Sequence, residues 1–188
     1  MSQKICGGCA VEDFFPDSKR LLVTSTPRRL ERLDAETGLK SQVLTAPGPL
    51  SDPRLSPDCR WVTFIMGKAD GTAAIWIAPV KDPPAAARDW IPIAEDQRVL
   101  NSPQWSPDGN LLYYISGRDG WSCVWGQRLN PATKRPHAQA FAVMHRHRTP
   151  GFTGMPRSAR TLAIAADRLF VPFVEIRGSV WTAKVSSR

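Results

Sequence analysis

The sequence predicts an all-β protein built from about four repeated units of antiparallel strands. Seventeen prolines and thirteen glycines interrupt short apolar stretches rich in β-branched and aromatic residues, which is typical of strands separated by turns. A Pro-Asp turn followed by an apolar strand recurs along the chain. No long segment carries a helical stripe, and the best candidate, PPAAARDW at 83–90, would form about one turn.

The recurring turn is best preserved in QWSPDGNLLYYIS, residues 104–116. Pro107 presets a turn dihedral, Asp108 can bond back to nearby amides, and Gly109 relaxes the exit. Four aspartates occupy the same place in the repeat: Asp17, Asp58, Asp108 and Asp167. We predict that these carboxylates serve the turn and not catalysis.

The period of the repeat indicates how the units stack. The four aspartates are 41, 50 and 59 residues apart, and the first spacing matches the 40–45 residues of a four-stranded propeller blade. The longer spacings predict loop insertions. A four-stranded meander is too small to bury both of its faces, so neighbouring units must stack, and radial stacking makes a β-propeller.

A second register follows each turn, where a hairpin leads into an apolar third strand that carries tryptophan. The recurrent residues are Trp76, Trp125 and Trp181. In the first unit we assign this place to Leu30 or Leu33. Together with Trp61 and Trp105, these tryptophans are predicted to lie in the core between units.

The two registers divide the chain into repeat units of a single β-propeller region covering 1–188. Each unit reads as strand A, Pro-Asp turn, strand B, hairpin, strand C, turn and strand D. The predicted units are about 10–47, 50–97, 100–145 and 158–188, with a basic insertion at 144–160. About four units predict a partial or atypical ring.

These motifs resemble the TolB-like, WD-repeat-related β-propeller family, whose repeats combine an SPDG turn, an apolar strand, a glycine-bearing hairpin and an aromatic third strand. The resemblance extends from about residue 10 to 185. It implies a periplasmic or extracytoplasmic partner-binding module, the propeller of a prolyl-oligopeptidase-type peptidase, or a sensory propeller of a bacterial regulator. Family members have more blades, so the resemblance implies the C-terminal part of a larger ring.

The sequence departs from the family pattern at the exit of the turn. Glycine is replaced there by Ser18, Cys59 and Arg168, and the fourth unit has also lost its proline. Side chains at this position predict a turn that does not always require a positive φ.

A search for catalytic motifs predicts a non-enzymatic protein without a cofactor. The sequence contains no GxSxG, HExxH, Gly-rich phosphate loop with GK[ST], or GxGxxG after a strand. The N-terminal residues lack the basic-then-apolar layout of a secretory signal, and no apolar run approaches the length of a membrane span.

The cysteines and histidines are predicted to bind no metal. Cys6 and Cys9 form a CGGC pair, but the remaining cysteines, Cys59 and Cys123, are isolated, which favours structural or incidental roles. His145 and His147 would share one face of a strand, a spacing compatible with metal ligation. Arginines flank both histidines and no acidic residue is near in sequence, so we predict solvated surface histidines.

Charge asymmetry is the strongest sign of a binding surface. Residues 1–94 carry a net charge of +1 and residues 95–188 a net charge of +7. The candidate interaction residues are Trp121 in a hairpin and Arg146, Arg148, Arg157 and Arg160 in the insertion.

We predict a scaffold for protein interaction or sensing, with an acidic partner for the insertion. The alternatives are the accessory propeller of a prolyl-oligopeptidase-type hydrolase and a module for an anionic polymer. Nucleic acid is disfavoured, because the basic segment lacks interleaved aromatics.

Overall fold

Three four-stranded antiparallel sheets and one two-stranded sheet make up the structure. The computed structural model describes residues 4–97, 100–145, 147 and 161–172. Each larger sheet is a meander in which consecutive strands are neighbours, and none of the sheets closes on itself. The predicted all-β fold of four-stranded antiparallel blades is confirmed.

The strands of each blade follow one another in chain order. The first blade contains β1 (Ala10–Phe14), β2 (Arg20–Thr26), β3 (Arg29–Asp34) and β4 (Lys40–Thr45). The second contains β5 (Leu50–Leu55), β6 (Trp61–Gly67), β7 (Ala73–Pro79) and β8 (Ile91–Asp96), with a 3-10 turn at Ala87–Asp89. The third contains β9 (Leu100–Trp105), β10 (Leu111–Ser116), β11 (Cys123–Arg128) and β12 (Phe141–Met144). The fourth sheet contains β13 (Ala163–Ile164) and β14 (Leu169–Phe170).

The blades pack face to face in chain order. Because strand residues point alternately to the two faces of a sheet, one strand contributes to the cores on both sides of its blade. On β6, Phe64 packs towards the first blade and Ile65 towards the third. On β10, Tyr114 packs towards the second blade, while Ile115 contacts Leu162 of the fourth unit. The first strands of successive blades, β1, β5, β9 and β13, are neighbours in space. The stack is therefore radial about these first strands.

Hydrogen bonds join the first strands across blade boundaries. The Leu55 amide donates to Asp13 Oδ2 at 2.8 Å, and the Trp105 indole N–H donates to the Arg54 carbonyl at 3.1 Å. Further along, the Leu162 amide donates to Ser102 Oγ at 2.7 Å. Each boundary described thus has a hydrogen bond beside its apolar core, and that bond fixes the position of one blade relative to the next.

The register of the third strands corrects one prediction. The residue six positions after the turn aspartate pairs with Trp76 in the second blade and with Trp125 in the third. In the first blade it pairs with Glu31. The assignment of this place to Leu30 or Leu33 was wrong. Leu30 is one residue from Glu31 and therefore lies on the opposite face, and Leu33 pairs with Leu21, one step further along the same face.

The recurrent tryptophans pack at the blade boundaries, as far as the structure describes them. Trp105 is buried, whereas Trp61, Trp76 and Trp125 are half-buried against the cores. Trp181 lies outside the described residues.

Three of the four turn aspartates bond within their own turns. Asp108 Oδ1 accepts from the Ser106 hydroxyl at 2.5 Å and from the Asn110 amide at 3.1 Å. Asp58 repeats both bonds one blade earlier, and Asp17 accepts from two following amides. Asp167 differs, because its exposed carboxylate faces the Arg168 guanidinium at 3.6 Å.

The exits of these three turns have left-handed backbone. The φ angles are 56° at Ser18, 53° at Cys59 and 67° at Gly109. The expectation that a side chain here relieves the need for a positive φ was therefore wrong for Ser18 and Cys59. In each turn the exit amide donates to the carbonyl three residues earlier, which holds the left-handed conformation despite the side chain.

We predict that Asp108→Ala lowers the free energy of unfolding by about 1–2 kcal/mol at neutral pH, because two hydrogen bonds to a charged carboxylate are lost. The hydrogen bonds from Ser106 and Asn110 lower the pKa of Asp108. Its stabilisation is therefore complete above the ordinary pKa of about 3.9 and disappears as the pH falls through the lower folded value.

Urea unfolding of wild type and variant between acid and neutral pH measures this difference. Asp167→Ala is the matched control, and its effect should stay below about 0.5 kcal/mol because that carboxylate is exposed. Equal losses in both variants would contradict the structural role of Asp108.

We also predict that Phe64→Ala lowers the free energy of unfolding by about 3–5 kcal/mol, because the side chain is fully buried between the first two blades. Phe170, which is 55% exposed, supplies the control, and Phe170→Ala should change stability by less than about 0.5 kcal/mol. Urea midpoints at unchanged slope measure both, and a near-neutral Phe64→Ala would contradict the packing of the first two blades.

Candidate functional site

The candidate site lies at one end of the third blade, where the hairpin between β10 and β11 meets the end of β12. Because β11 is antiparallel to both neighbours, β12 ends on the same side of the blade as this hairpin. The base of the hairpin is anchored by Asp96 at the end of β8. Asp96 Oδ2 accepts from the Ser116 hydroxyl at 2.6 Å and from the Gly117 amide at 2.7 Å. The second blade therefore positions the hairpin of the third.

Three polar side chains converge beside the hairpin. Asp119 Oδ2 is 3.1 Å from His145 Nδ1 and 3.0 Å from His147 Nε2. The two histidine nitrogens are themselves 3.0 Å apart. Both imidazoles are close to half exposed, whereas the Asp119 side chain is 20% exposed. One carboxylate oxygen thus faces two ring nitrogens at once.

A thiol completes the group. Cys123 is the first residue of β11 and is buried. One ligand atom each from Asp119, Cys123, His145 and His147 lie within 4.8 Å of one another. Carboxylate, thiol and imidazole are all groups that bind transition-metal ions. We call these four residues the hairpin cluster.

Aromatic rings frame the hairpin cluster on two sides. Trp121 stacks on His147 with ring centroids 5.8 Å apart and an interplanar angle of 19°. Trp125 meets His145 edge-on at 5.4 Å. The Trp121 side of this frame is open to solvent, since that residue is 47% exposed. The indole is thus held in place and accessible at the same time.

Arg118 extends this surface. Its guanidinium lies 4.7 Å from the centroid of the Trp125 ring and donates to the Tyr114 hydroxyl at 2.7 Å. Its Nε also faces Ser116 Oγ at 3.2 Å. These contacts hold the guanidinium in place, and among the described residues Arg118 forms no ion pair with a carboxylate.

The pKa of the Asp119 carboxyl lies below its ordinary value. Partial burial opposes this shift, but hydrogen bonds from His147, the Trp121 amide and Cys123 outweigh it. These donors favour the charged form of the Asp119 carboxylate.

The structure describes only part of the predicted interaction surface. Trp121 is exposed at the hairpin, where the sequence placed it. The other candidates, Arg146, Arg148, Arg157 and Arg160, lie outside the described residues.

The approach of Asp119 to the histidines was missed because it is 26 residues from His145 in sequence. The topology of the unit held the necessary signal. In a four-stranded antiparallel meander, the hairpin between strands B and C and the end of strand D lie at the same end of the sheet. The sequence has an Asp-x-x-x-Cys motif across that hairpin and a His-x-His motif after strand D, so the two motifs are expected to lie close together.

The remaining cysteines lie elsewhere. Cys6 and Cys9 form a disulfide beside Leu21, Val23 and Leu33 of the first blade. Cys59 is a free, half-buried thiol at the exit of the second turn. Neither takes part in the hairpin cluster.

Comparison with solved structures establishes the fold of the chain. TolB from Acinetobacter baumannii is similar with a TM-score of 0.54 and 21% sequence identity, over 68% of this chain and 31% of that one. The fold is that of a TolB-like β-propeller. No family model matches the sequence, and no curated protein matches it either.

Two further structures show the same blade architecture. An oligogalacturonate lyase in complex with manganese has a TM-score of 0.53 at 12% identity, over 79% of this chain and 40% of that one. A puromycin-hydrolysing peptidase of Mycobacterium tuberculosis has a TM-score of 0.52 at 15% identity, over 74% of this chain and 24% of that one. The chain spans less than half the length of each of these three structures. At these identities the likeness is one of fold.

The described part of the chain contains no helix long and apolar enough to cross a membrane.

Proposed function

We propose that this TolB-like propeller chain is a non-enzymatic interaction module that binds an acidic protein segment at the surface formed by Arg118, Trp121 and His147. We call this the Trp121 surface. The observation that carries the proposal is the combination of an accessible indole stacked on a histidine and a neighbouring guanidinium that, within the described part of the chain, forms no ion pair with a carboxylate.

The energetics of such a surface favour a protein partner. Tryptophan and arginine supply most of the binding energy in many protein interfaces. The Trp121 ring and the Arg118 guanidinium are both held before binding, so less side-chain entropy is lost when a partner docks.

Charge supports an acidic occupant. The second half of the sequence carries a net charge of +7, and no acidic residue occurs between Asp119 and Asp167. Arg146 and Arg148 are close in sequence to the histidine of this surface. A positive field of this kind speeds association with an acidic partner and weakens as salt is added.

A non-enzymatic role is supported by how the recurrent carboxylates are used. Asp17, Asp58 and Asp108 bond to their own turns, and the sequence carries no motif for a nucleophile elbow or a phosphate loop. We expect the purified chain to release no chromophore from prolyl or acyl-peptide nitroanilides, with a prolyl oligopeptidase as the positive control. Turnover above the rate in buffer would contradict the proposal.

The binding proposal is tested with a labelled peptide of alternating glutamate and leucine, followed by fluorescence anisotropy at low and high salt. We expect Trp121→Ala to weaken binding about tenfold or more, since a central aromatic is removed. Phe170→Ala removes another exposed aromatic, from the fourth unit, and should leave the affinity unchanged.

Three outcomes would contradict the proposal. They are no binding of the acidic peptide, equal binding of a lysine–leucine peptide, and an unchanged affinity in Trp121→Ala. Competition by heparin as strong as that by the acidic peptide would favour the anionic-polymer alternative.

The accessory propeller of a prolyl-oligopeptidase-type hydrolase is the second candidate. It is supported by the similarity in fold to the puromycin-hydrolysing peptidase. The reading frame adjoining this sequence distinguishes the two candidates, because an α/β-hydrolase domain encoded there would overturn the scaffold proposal.

A further inference from the structure

We propose that the hairpin cluster is a zinc site, in which Asp119, Cys123, His145 and His147 bind one Zn²⁺. The site would fasten the end of β12 to the hairpin between β10 and β11. The inference does not depend on the proposed acidic partner, because the metal alone is the ligand.

The geometry of three of the donors points to a common centre. Asp119 Oδ2, His145 Nδ1 and His147 Nε2 form a nearly equilateral triangle with sides of 3.0, 3.0 and 3.1 Å. Each ring N–H can be directed along only one side of this triangle, since good hydrogen bonds are nearly linear. Hydrogen bonds therefore cannot form along all three sides of the triangle at once, whereas an ion bound to the three atoms would contact all of them.

The triangle has the right size for zinc. Its corners lie about 1.7–1.8 Å from its centre, while Zn–N and Zn–O bonds measure about 2.0–2.2 Å. An ion about 1 Å above the plane would reach all three atoms at bonding distance, and moving the donors apart by about 0.3 Å would open the angles at the metal to tetrahedral values.

Cys123 supplies the fourth ligand. In a tetrahedral zinc site, sulfur lies about 3.6 Å from the nitrogen and oxygen ligands. The four donor atoms are now within 4.8 Å of one another, so a contraction of about 1 Å completes the coordination. This movement is small for a residue at the first position of a strand beside a hairpin.

The chemistry of the donors selects the ion. Thiolate and imidazole prefer zinc and other late transition metals, whereas Ca²⁺ and Mg²⁺ require oxygen ligands. One thiolate and one carboxylate balance the two charges of Zn²⁺. A bound Zn²⁺ would therefore leave the site without excess positive charge, although arginines flank the histidines in sequence.

Neighbouring groups already hold the ligands. The Trp121 amide donates to Asp119 Oδ1 at 3.2 Å, which leaves Oδ2 directed at the histidines. Trp121 covers the His147 ring, and Trp125 borders the His145 ring. Such outer contacts orient metal ligands and raise the affinity of a site.

Cobalt titration of the reduced, chelator-treated chain tests the site. We expect one Co²⁺ per chain, with the intense d–d bands of tetrahedral cobalt and a thiolate-to-cobalt charge-transfer band, and displacement of both by Zn²⁺. Zinc should also raise the midpoint of thermal unfolding, because it binds the folded state.

Variants assign the ligands. His147→Ala should weaken binding more than about 100-fold, beyond the loss caused by outer-shell changes, and Cys123→Ser should abolish the charge-transfer band. His137→Ala and Cys59→Ser remove a histidine and a free thiol outside the hairpin cluster and should change neither readout. Because His147 is exposed, its variant keeps the test valid if Cys123→Ser does not fold.

Three results would overturn the zinc site. The first is a chain that gives no tetrahedral cobalt spectrum, and the second is unchanged affinity in His147→Ala. The third is binding that disappears in the Cys6→Ser, Cys9→Ser double variant, which would place the metal at the CGGC pair. Loss of acidic-peptide binding with zinc binding intact would reject only the proposed function.

Discussion

Face-to-face burial of the sheets is the constraint on which the structure depends. A four-stranded antiparallel sheet with apolar residues on both faces cannot be covered by its own strands, so each blade needs a neighbour on either side. Phe64 and Ile65 are adjacent in sequence yet belong to different cores, because successive strand residues point to opposite faces. The same alternation separates Tyr114 from Ile115 in the next blade.

Polar contacts give this stack its alignment. Apolar contact is non-directional, so burial alone would let neighbouring blades slide. The bonds from Leu55 to Asp13, from Trp105 to Arg54 and from Leu162 to Ser102 define one relative position at each boundary. Their partners are separated by 42, 51 and 60 residues in sequence, so the links form only when the blades are assembled.

The candidate site is a consequence of the same architecture. The meander returns strand D to the side of the B–C hairpin, which brings two histidines to a carboxylate and a thiol. Asp96 of the second blade then holds the base of that hairpin. The hairpin cluster and the Trp121 surface share His147, and the Trp121 ring stacks on that imidazole.

Local patterns in the sequence were sufficient for the fold class. Short apolar stretches rich in β-branched and aromatic residues, the recurring Pro-Asp turn and the spacing of its aspartates are visible along the chain, and they predicted four-stranded antiparallel blades correctly. They also predicted that Trp121 lies in a hairpin. The prediction from local pattern failed at the exits of the turns. Ser18 and Cys59 adopt the positive φ that is typical of glycine, because the backbone conformation of the turn overrides the preference of the residue.

Tertiary structure decided the pairing of distant residues. Glu31 replaces tryptophan at the third-strand position because strand register determines which residue faces the blade boundary. The hairpin cluster could not be found by searching for nearby ligands, because Asp119 and Cys123 lie more than twenty residues before His145 in sequence. By itself the sequence determined that strands form, where they turn and how often they repeat, since these depend on neighbours along the chain. Which side chains meet depended on register and blade packing, because those are set only when distant strands hydrogen-bond and stack.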